Sequence, residues 1–324
     1  WISINEFWYY FTLTYGVALA ILVIYIYYEG NLHLTPNFLF LSKPLFKQML
    51  SFGLFIMFGG AASMVVNKID TIMISYLTNL KETAVYALAL YIATIIETPK
   101  RVLNQLTDPL VANAWKDDDI NTIHALYQKT SLNQLIVGCL LFMLLWLNID
   151  QIFSIIPKSE IYKEGKFVIL FIGLAKLVDM VTGNNGEIIG YSKHYRFGLY
   201  SIIFLAGLTI LTNYIFIPIY GINGAAFATF LSTSLFNIIK FTFLKFKFNL
   251  QPFTTRTLKV LIISTTTYLI VAHIPETEII IFDLLINSTL IFFLFLVPII
   301  YLRISPDITE MVEQKLKFLN FKKK

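Results

Sequence analysis

Long apolar stretches recur along almost the whole of this sequence, and they decide what it can fold into. A helix needs about 20 mostly apolar residues to cross the hydrocarbon of a bilayer. The apolar runs are continuous rather than alternating, so helices are favoured over a transmembrane barrel. The sequence therefore predicts an all-α, polytopic membrane helical bundle of about nine transmembrane helices. The predicted spans are 7–28, 50–77, 84–110, 132–149, 167–190, 197–219, 225–244, 260–274 and 279–302.

The composition excludes the other broad classes of protein. Hydrophobic residues make up 57% of the chain and charged residues 14%, against about 45–50% and 25% in soluble domains. Disorder requires low hydrophobicity and high charge, and a single cysteine cannot make a disulfide framework. The net charge of +5 is small, and nucleic acid is not an expected partner.

The distribution of basic residues predicts the orientation of the chain. If the chain starts outside, 17 of its 25 lysines and arginines fall in cytoplasmic segments, four in external segments and four within spans. Lys240 is counted among the cytoplasmic residues. Because cytoplasmic loops are enriched in basic residues, we expect a cytoplasmic C-terminus, with the tail 315–324 touching anionic membrane lipid.

Two further expectations concern the ends of the chain and its longest connection. An odd number of spans beginning outside, and a first residue Trp1, suggest a C-terminal fragment of a longer protein. The connection 111–131 is expected to be an amphipathic helix at the membrane interface, with Ile120, Ile123 and Leu126 on its apolar side.

No motif for covalent or metal chemistry is present in the sequence. It has no GxxxxGK[ST] loop and no Gly-x-Ser-x-Gly elbow. The four histidines show no ligand spacing, and Cys139 is expected to pack in an apolar helix. We therefore expect no enzyme, no cofactor and no metal site.

The third span carries a polar stripe. At about 100° per residue, Glu97, Arg101, Asn104 and Asp108 lie within about 60° of arc, with Lys100 near the edge. A proline two residues after Glu97 is expected to kink the helix. Ionisable groups at mid-span cost about 2.5–3.5 kcal/mol each. The stripe therefore lines a cavity, or the segment leaves the membrane near Lys100 and the stripe is solvated.

The fifth span carries a second stripe, formed by Lys176, Asp179 and Glu187. Lys176 and Asp179 are three residues apart and can pair locally. The run Gly-Asn-Asn-Gly at 183–186 favours unwinding, which would expose backbone to a cavity. The alternative is a neutralised pair that only fixes helix packing.

In the second span, Gly60, Ser63, Asn67 and Asp70 share a narrow stripe, and Lys68 lies about 160° from Asp70. The alternative is that these residues sit near the outer interface. The polar stripes on these three spans together carry charges of both signs, which favours a hydrated central cavity that binds a phosphate or a sugar. The predicted cavity-lining residues are Asn67, Asp70, Glu97, Arg101, Asn104, Lys176, Asp179, Asn184 and Glu187.

Three segments carry a resemblance to a known family. They are Asn-Lys-Ile-Asp at 67–70, Thr-Ala-Val-Tyr-Ala-Leu-Ala at 83–89, and Asn-Tyr-Ile-Phe-Ile-Pro-Ile-Tyr-Gly-Ile-Asn-Gly-Ala-Ala-Phe-Ala-Thr at 213–229. In this order they resemble the multidrug/oligosaccharidyl-lipid/polysaccharide exporter superfamily, and the last resembles its O-antigen flippases. Gly221 and Gly224 would allow a tight outer hairpin there, with close packing of the next helix.

The resemblance implies a fourteen-helix transporter, of which this chain would lack the first five spans. Residues 1–48 would be the last helix of the N-terminal lobe and a cytoplasmic linker, residues 49–248 the C-terminal six-helix lobe, and residues 249–324 two accessory helices and a basic tail. It implies alternating access, without covalent chemistry, in the bacterial cytoplasmic membrane. The substrate would be a lipid-linked oligosaccharide, H⁺ or Na⁺ a coupling ion, and polysaccharide polymerase and glycosyltransferases the pathway partners.

Several alternatives stay open at this point. A drug or cation antiporter and a lipid II flippase belong to the same superfamily. A polysaccharide polymerase or a membrane acyltransferase is also polytopic and apolar. The longest external loop, 150–166, lacks the arginines expected of a polymerase. The four histidines lie at span ends or in loops, whereas an acyltransferase would be expected to place a catalytic histidine in a span.

Overall fold

The computed structural model describes residues 4–29, 42–156, 159–275, 277 and 279–321. Most of the expected cytoplasmic linker (30–41) and the end of the basic tail (322–324) lie outside the described residues. The chain divides into two units, residues 1–54 and 55–324. The helices are α1 (Ile4–Tyr28), α2 (Lys43–Leu77), α3 (Leu80–Thr94), α4 (Thr98–Lys116), α5 (Ile120–Trp146), α6 (Ile149–Ile155), α7 (Ser159–Tyr162), α8 (Lys166–Val181), α9 (Asn185–Tyr191), α10 (Tyr195–Phe248), α11 (Thr255–Ala272), α12 (Ile280–Tyr301) and α13 (Pro306–Phe321).

The all-α membrane fold is confirmed. Each predicted span falls on helix, and the described part of the chain contains no strand. Four described helices, α1, α5, α10 and α12, are long and apolar enough to cross a membrane. The segments Glu160–Val181 and Asn185–Tyr191, which are bent by 49° at the break between them, have the length and composition of a broken span or a re-entrant loop.

The helix α10 is a hairpin of two spans. Its backbone is non-helical at Gly221, where φ is +56°. The hydroxyls of Thr212 and Ser232 lie 3.0 Å apart, although a straight helix would separate them by about 30 Å. A side chain at Gly224 would overlap the carbonyl oxygen of Phe216. The predicted glycine hairpin is therefore confirmed, and we call residues 195–220 its first limb and 222–248 its second limb.

The third span is broken where a kink is expected. Residues Ile95–Glu97 form a 3₁₀ turn between α3 and α4, and Pro99 lies in the first turn of α4. A proline is tolerated there because its missing N–H has no intrahelical partner in that turn. Lys100, Arg101 and Asn104 all lie on α4, the helix that begins after this turn.

The connection 111–131, expected to be one amphipathic helix, is divided between two helices. Residues up to Lys116 continue α4, a tight turn follows, and Ile120 begins α5. The Asp119 carboxylate caps α5 by accepting from the backbone N–H of Thr122 at 3.0 Å, a standard way to satisfy the first turn of a helix. Ile123 is fully buried against α9 and the end of α10, and Leu126 packs beside it, whereas Ile120 stays exposed.

Three apolar clusters hold residues 55–324 together. The first joins the end of α2, α3, α6, α8 and both limbs of α10. The second joins α5 to α11 and α12 and includes Cys139, which is buried as expected. The third joins α4, the start of α5, α9 and the second limb near its end. Between the clusters, polar side chains of α4, α8, α9 and α10 face one another.

Candidate functional site: a charged network and a buried aspartate

The first pair of the charged network links the 3₁₀ turn before α4 to α8. The carboxylate of Glu97 forms an ion pair with Lys176. The same carboxylate lies 3.6 Å from the guanidinium of Arg101. The side chains of Glu97 and Lys176 are 19% and 25% exposed, and that of Arg101 is 68% exposed. Arg101 is therefore the most exposed of these three side chains, and we call its position the open edge of the network.

The second pair corrects the expected pairing of Lys176 with Asp179. The ammonium of Lys100 donates to the Asp179 carboxylate at 2.5 Å and to its backbone carbonyl at 3.1 Å. The amide of Asn237, on the second limb of α10, donates to the other carboxylate oxygen at 3.2 Å. Pairing across helices satisfies both charges more fully than a local pair on the surface of one helix.

Lys240 is the most deeply placed cation, and its assignment to a cytoplasmic segment is wrong. It lies within the second limb, 7% exposed, over the ring of Phe236 at 4.2 Å. Its charge interacts with Asp179 and Glu187. The apolar stretch that contains it extends beyond residue 244, so the lysine stays inside the bundle.

A chain of amides connects Glu187 to α4, α5 and the α8–α9 junction. Asn104 donates to the Glu187 carboxylate at 2.7 Å. Gln134 of α5 donates to the side-chain carbonyls of Asn104 at 3.0 Å and Asn184 at 2.8 Å. Asn184 donates in turn to the hydroxyl of Thr107. These bonds lock α4, α5 and the α8–α9 junction together.

The predicted unwinding of the Gly-Asn-Asn-Gly run is confirmed, but its exposure to a cavity is not what the structure shows. The chain is non-helical between α8 and α9, and Gly183 has φ +60°. Asn184 and Asn185 are each 1% exposed. A side chain at Gly183 would lie 3.0 Å from the backbone nitrogen of Ser131. The turn is thus a tight contact with α5.

The formal charges of the charged network sum to zero. We define it as four cations and four carboxylates: Lys100, Arg101, Lys176 and Lys240, with Glu97, Asp108, Asp179 and Glu187. Such a balance is expected, because an uncompensated ion in an apolar bundle costs several kcal/mol. The network runs from the exposed Arg101 to the buried Lys240.

Asp70 is separate from this network and has no cationic partner among the described residues. Its carboxylate accepts from the hydroxyl of Tyr86 at 2.9 Å, the amide of Asn213 at 2.5 Å and the hydroxyl of Thr229 at 2.6 Å. Asp70 is 7% exposed. These neutral donors tie α2, α3 and both limbs of α10 to one buried carboxylate. The side-chain oxygen of Asn213 is buried there without a hydrogen bond.

The nine predicted residues therefore divide into three groups. Seven of them, from Glu97 to Glu187, lie in or on the charged network. Asp70 centres the second cluster. Asn67 is exposed and donates to the carbonyl of Ser63 on its own helix at 2.8 Å, so it joins neither.

In and around the charged network, the sequence reasoning missed Gln134, Asn237 and Lys240; around Asp70 it missed Asn213 and Thr229. Asn237 and Lys240 were detectable, because they lie about 60° apart on a helix and interrupt an apolar span. Gln134 is a single amide in α5, and no periodic signal marks it. Within the described residues, no group of three His, Cys, Asp or Glu side chains has the arrangement of a metal site.

An all-α, polytopic membrane bundle with a polar network between its helices has the architecture of a membrane transporter. A family model described as "Polysaccharide biosynthesis protein" matches residues 3–102, and the MatE family model matches residues 56–215. Both families are part of the multidrug/oligosaccharidyl-lipid/polysaccharide exporter superfamily, and the two matches, which together cover residues 3–215, support a member of that superfamily. No curated protein gives a match.

Proposed function

We propose that the protein flips polyprenyl-pyrophosphate-linked oligosaccharide repeat units across the bacterial cytoplasmic membrane, by alternating access, for O-antigen or capsule synthesis. The observation that carries the proposal is the neutral charged network with its open edge at Arg101. Its chemistry suits a substrate with both phosphate and hydroxyl groups. The match to a polysaccharide biosynthesis family over residues 3–102 supports the same substrate class.

The roles of individual residues follow from their exposure. Arg101 is loosely held, at 3.6 Å from Glu97 and 68% exposed, so a substrate phosphate can replace the carboxylate at little cost. Lys176 is the second cation at this edge. Glu97, Asn104 and Glu187 offer carboxylate and amide groups for sugar hydroxyls. Asp179 and Asn184, whose partners are more buried, shape the wall behind them.

The coupling ion, H⁺ or Na⁺, is assigned to Asp70. An ionised carboxylate buried among neutral donors is costly, and a bound cation removes that cost. The unpaired oxygen of Asn213 is a second ligand for such a cation. Because Asp70 links α2, α3 and both limbs of α10, its charge state would affect how these helices pack.

We assign residues 49–248 to a six-helix lobe, residues 249–324 to two accessory helices and a cytoplasmic tail, and residues 1–48 to a helix and linker of the other lobe. Membrane lipids surround the bundle. Polysaccharide polymerase and glycosyltransferases are the proposed partners in the pathway.

The test is complementation of cells that lack their own repeat-unit flippase, using the complete protein. We expect Arg101→Ala and Lys176→Ala each to lower surface polysaccharide at least tenfold and to accumulate lipid-linked repeat units inside. Lys81→Ala is the matched control, since Lys81 forms an exposed pair with Glu164. Normal surface polysaccharide in both network variants, at normal expression, would refute the proposal.

A drug or cation antiporter is the second candidate, favoured by the MatE match over residues 56–215. It predicts drug resistance on overexpression and no polysaccharide phenotype. The cations Arg101 and Lys176 at the open edge disfavour it, because cationic drugs prefer acidic sites. A lipid II flippase would instead be essential for peptidoglycan, and its loss would be lethal.

A further inference from the structure

An apolar groove of about 460 Å³ lies at the end of the bundle where α10 begins and ends. The two ends of α10 meet there, because the rings of His194 and Phe248 are 5.7 Å apart. The groove is lined by Phe197 of the first limb and by residues of the second limb between 238 and 247.

The groove is built on a rigid floor and faces away from the charged network. Phe197 and Phe243 stack with their ring centroids 3.8 Å apart and their planes at 10°. Ile238, Thr242 and Phe246 follow at four-residue intervals, on the face of the second limb opposite Lys240. Ile238 is 56% exposed and Phe246 is 86% exposed, so this face is presented to the surrounding lipid.

One basic residue lines the groove, and another lies next to a lining residue in the chain. Lys247 is part of its lining, and Arg196 immediately precedes Phe197 in the chain. In the part of the chain that the structure describes, neither forms an ion pair with a carboxylate. The neighbouring Lys193, in contrast, lies 3.6 Å from Asp118. The guanidinium of Arg196 lies over the ring of Tyr195, 5.9 Å from its centroid. An apolar slot lined by one lysine, with an arginine on the residue before Phe197, is complementary to an amphipathic anion.

We propose that this groove binds an anionic phospholipid of the surrounding membrane, with an acyl chain between Thr242 and Phe197 and the phosphate at Lys247 and Arg196. Basic residues near an anionic membrane surface each contribute about 1 kcal/mol, which is about fivefold in affinity. The groove faces lipid rather than the charged network, so its occupant is a bilayer lipid rather than the transported molecule. The proposal requires only that the bundle spans a membrane and is independent of the substrate.

The test is photocrosslinking in vesicles of equal phosphatidylglycerol and phosphatidylcholine, using the full chain with p-benzoylphenylalanine at position 242. We expect phosphatidylglycerol adducts to exceed phosphatidylcholine adducts at least fivefold. The probe at position 211, a 57% exposed site on the first limb, should give equal adducts. The pair Lys247→Gln and Arg196→Gln should bring the ratio at position 242 below about twofold, while Lys81→Gln should leave it unchanged.

Three results would overturn the proposal. Equal adducts at position 242 would mean that the groove has no preference for charge. A preference that survives the loss of both cations would assign it to another feature. If undecaprenyl phosphate added in equal amount displaces phosphatidylglycerol, the groove belongs to the transported lipid. Because Thr242 and Lys247 are exposed, these variants are expected to fold, and size-exclusion profiles check that they do.

Discussion

Asp179 is one carboxylate that faces two lysines, and this arrangement leads to a specific prediction about the stability of the protein. Asp179 receives Lys100 at 2.5 Å and the amide of Asn237 at 3.2 Å, and it faces the buried Lys240. Replacing Lys100 by Met leaves a carboxylate that still has Lys240 and Asn237. Replacing Asp179 by Asn leaves two lysines without their nearest carboxylate. We therefore expect Asp179→Asn to destabilise the protein more than Lys100→Met.

The size of each effect follows from burial. Removing one partner of a buried ion pair costs about 3–5 kcal/mol. The side chains of Lys100 and Asp179 are 11% and 24% exposed. Because Asp179 keeps a second cation in Lys100→Met, we expect about 3 kcal/mol for that variant and about 5 kcal/mol for Asp179→Asn. Adding Lys240→Met to Asp179→Asn should restore about 1–2 kcal/mol, since one buried charge is removed.

The free energy of unfolding is measured by titrating purified protein in mixed micelles with sodium dodecyl sulfate and following tryptophan fluorescence. Lys81→Met is the control, because its pair with Glu164 is exposed and is worth at most about 1 kcal/mol. If Asp179→Asn is no more destabilising than Lys100→Met, or if Lys240→Met worsens it, Lys240 does not depend on Asp179 and the reasoning fails.

Two further predictions concern the α8–α9 turn and the docking of α13. Gly183→Ala should cost about 1–2 kcal/mol because its φ is +60°, with further strain against Ser131. Gly190→Ala, which meets nothing within 4 Å, should not destabilise in the same titration; equal effects would contradict the strained turn. At the start of α13, burial would raise the pKa of the Asp307 carboxyl, but hydrogen bonds from Lys129 and Asn133 hold that pKa below its ordinary 3.8. A lowered pKa contributes stability above the unfolded value that is lost as pH falls through the folded value. Hydrogen exchange of α13, corrected for intrinsic rates, should therefore accelerate below about pH 4 but not between pH 7 and pH 5. In the Asp307→Asn variant, α13 should exchange faster already at pH 7. If α13 exchanges in that variant as it does in the unmodified protein, Asp307 does not anchor the helix.

The sequence predicted which faces of the helices are polar, but not which partners they meet. The 100° periodicity placed Glu97, Arg101 and Asn104 on one face of α4, and the structure has them in one network. The same periodicity also allowed Lys176 to pair with Asp179. The structure instead pairs Lys176 with Glu97 in the 3₁₀ turn before α4, and Asp179 with Lys100 of α4. Only the packing of segments distant in sequence determines which charge lies closest.

The limits of the helices were predicted less well than their existence. Glycine positions were informative, since Gly183 and Gly221 mark a break and a hairpin that their positive φ requires. The connection at 111–131 was expected to be one amphipathic helix, and its pattern fits a membrane interface and a protein surface equally. The apolar side of Ile123 is buried against α9 and α10, a contact that depends on residues more than 60 positions away.

The neutrality of the charged network has an electrical consequence. A membrane potential does work of about 2.3 kcal/mol per elementary charge per 100 mV on a charge that crosses the whole field. Four cations and four carboxylates that move together carry no net charge. The membrane potential therefore does no net work on these eight charges when α4, α8 and α10 move through the field. Asp70 is different, because its single negative charge has only neutral donors. The voltage dependence of any conformational change in this bundle would therefore report the occupancy of Asp70 and the charge of the substrate rather than the eight charges between the helices.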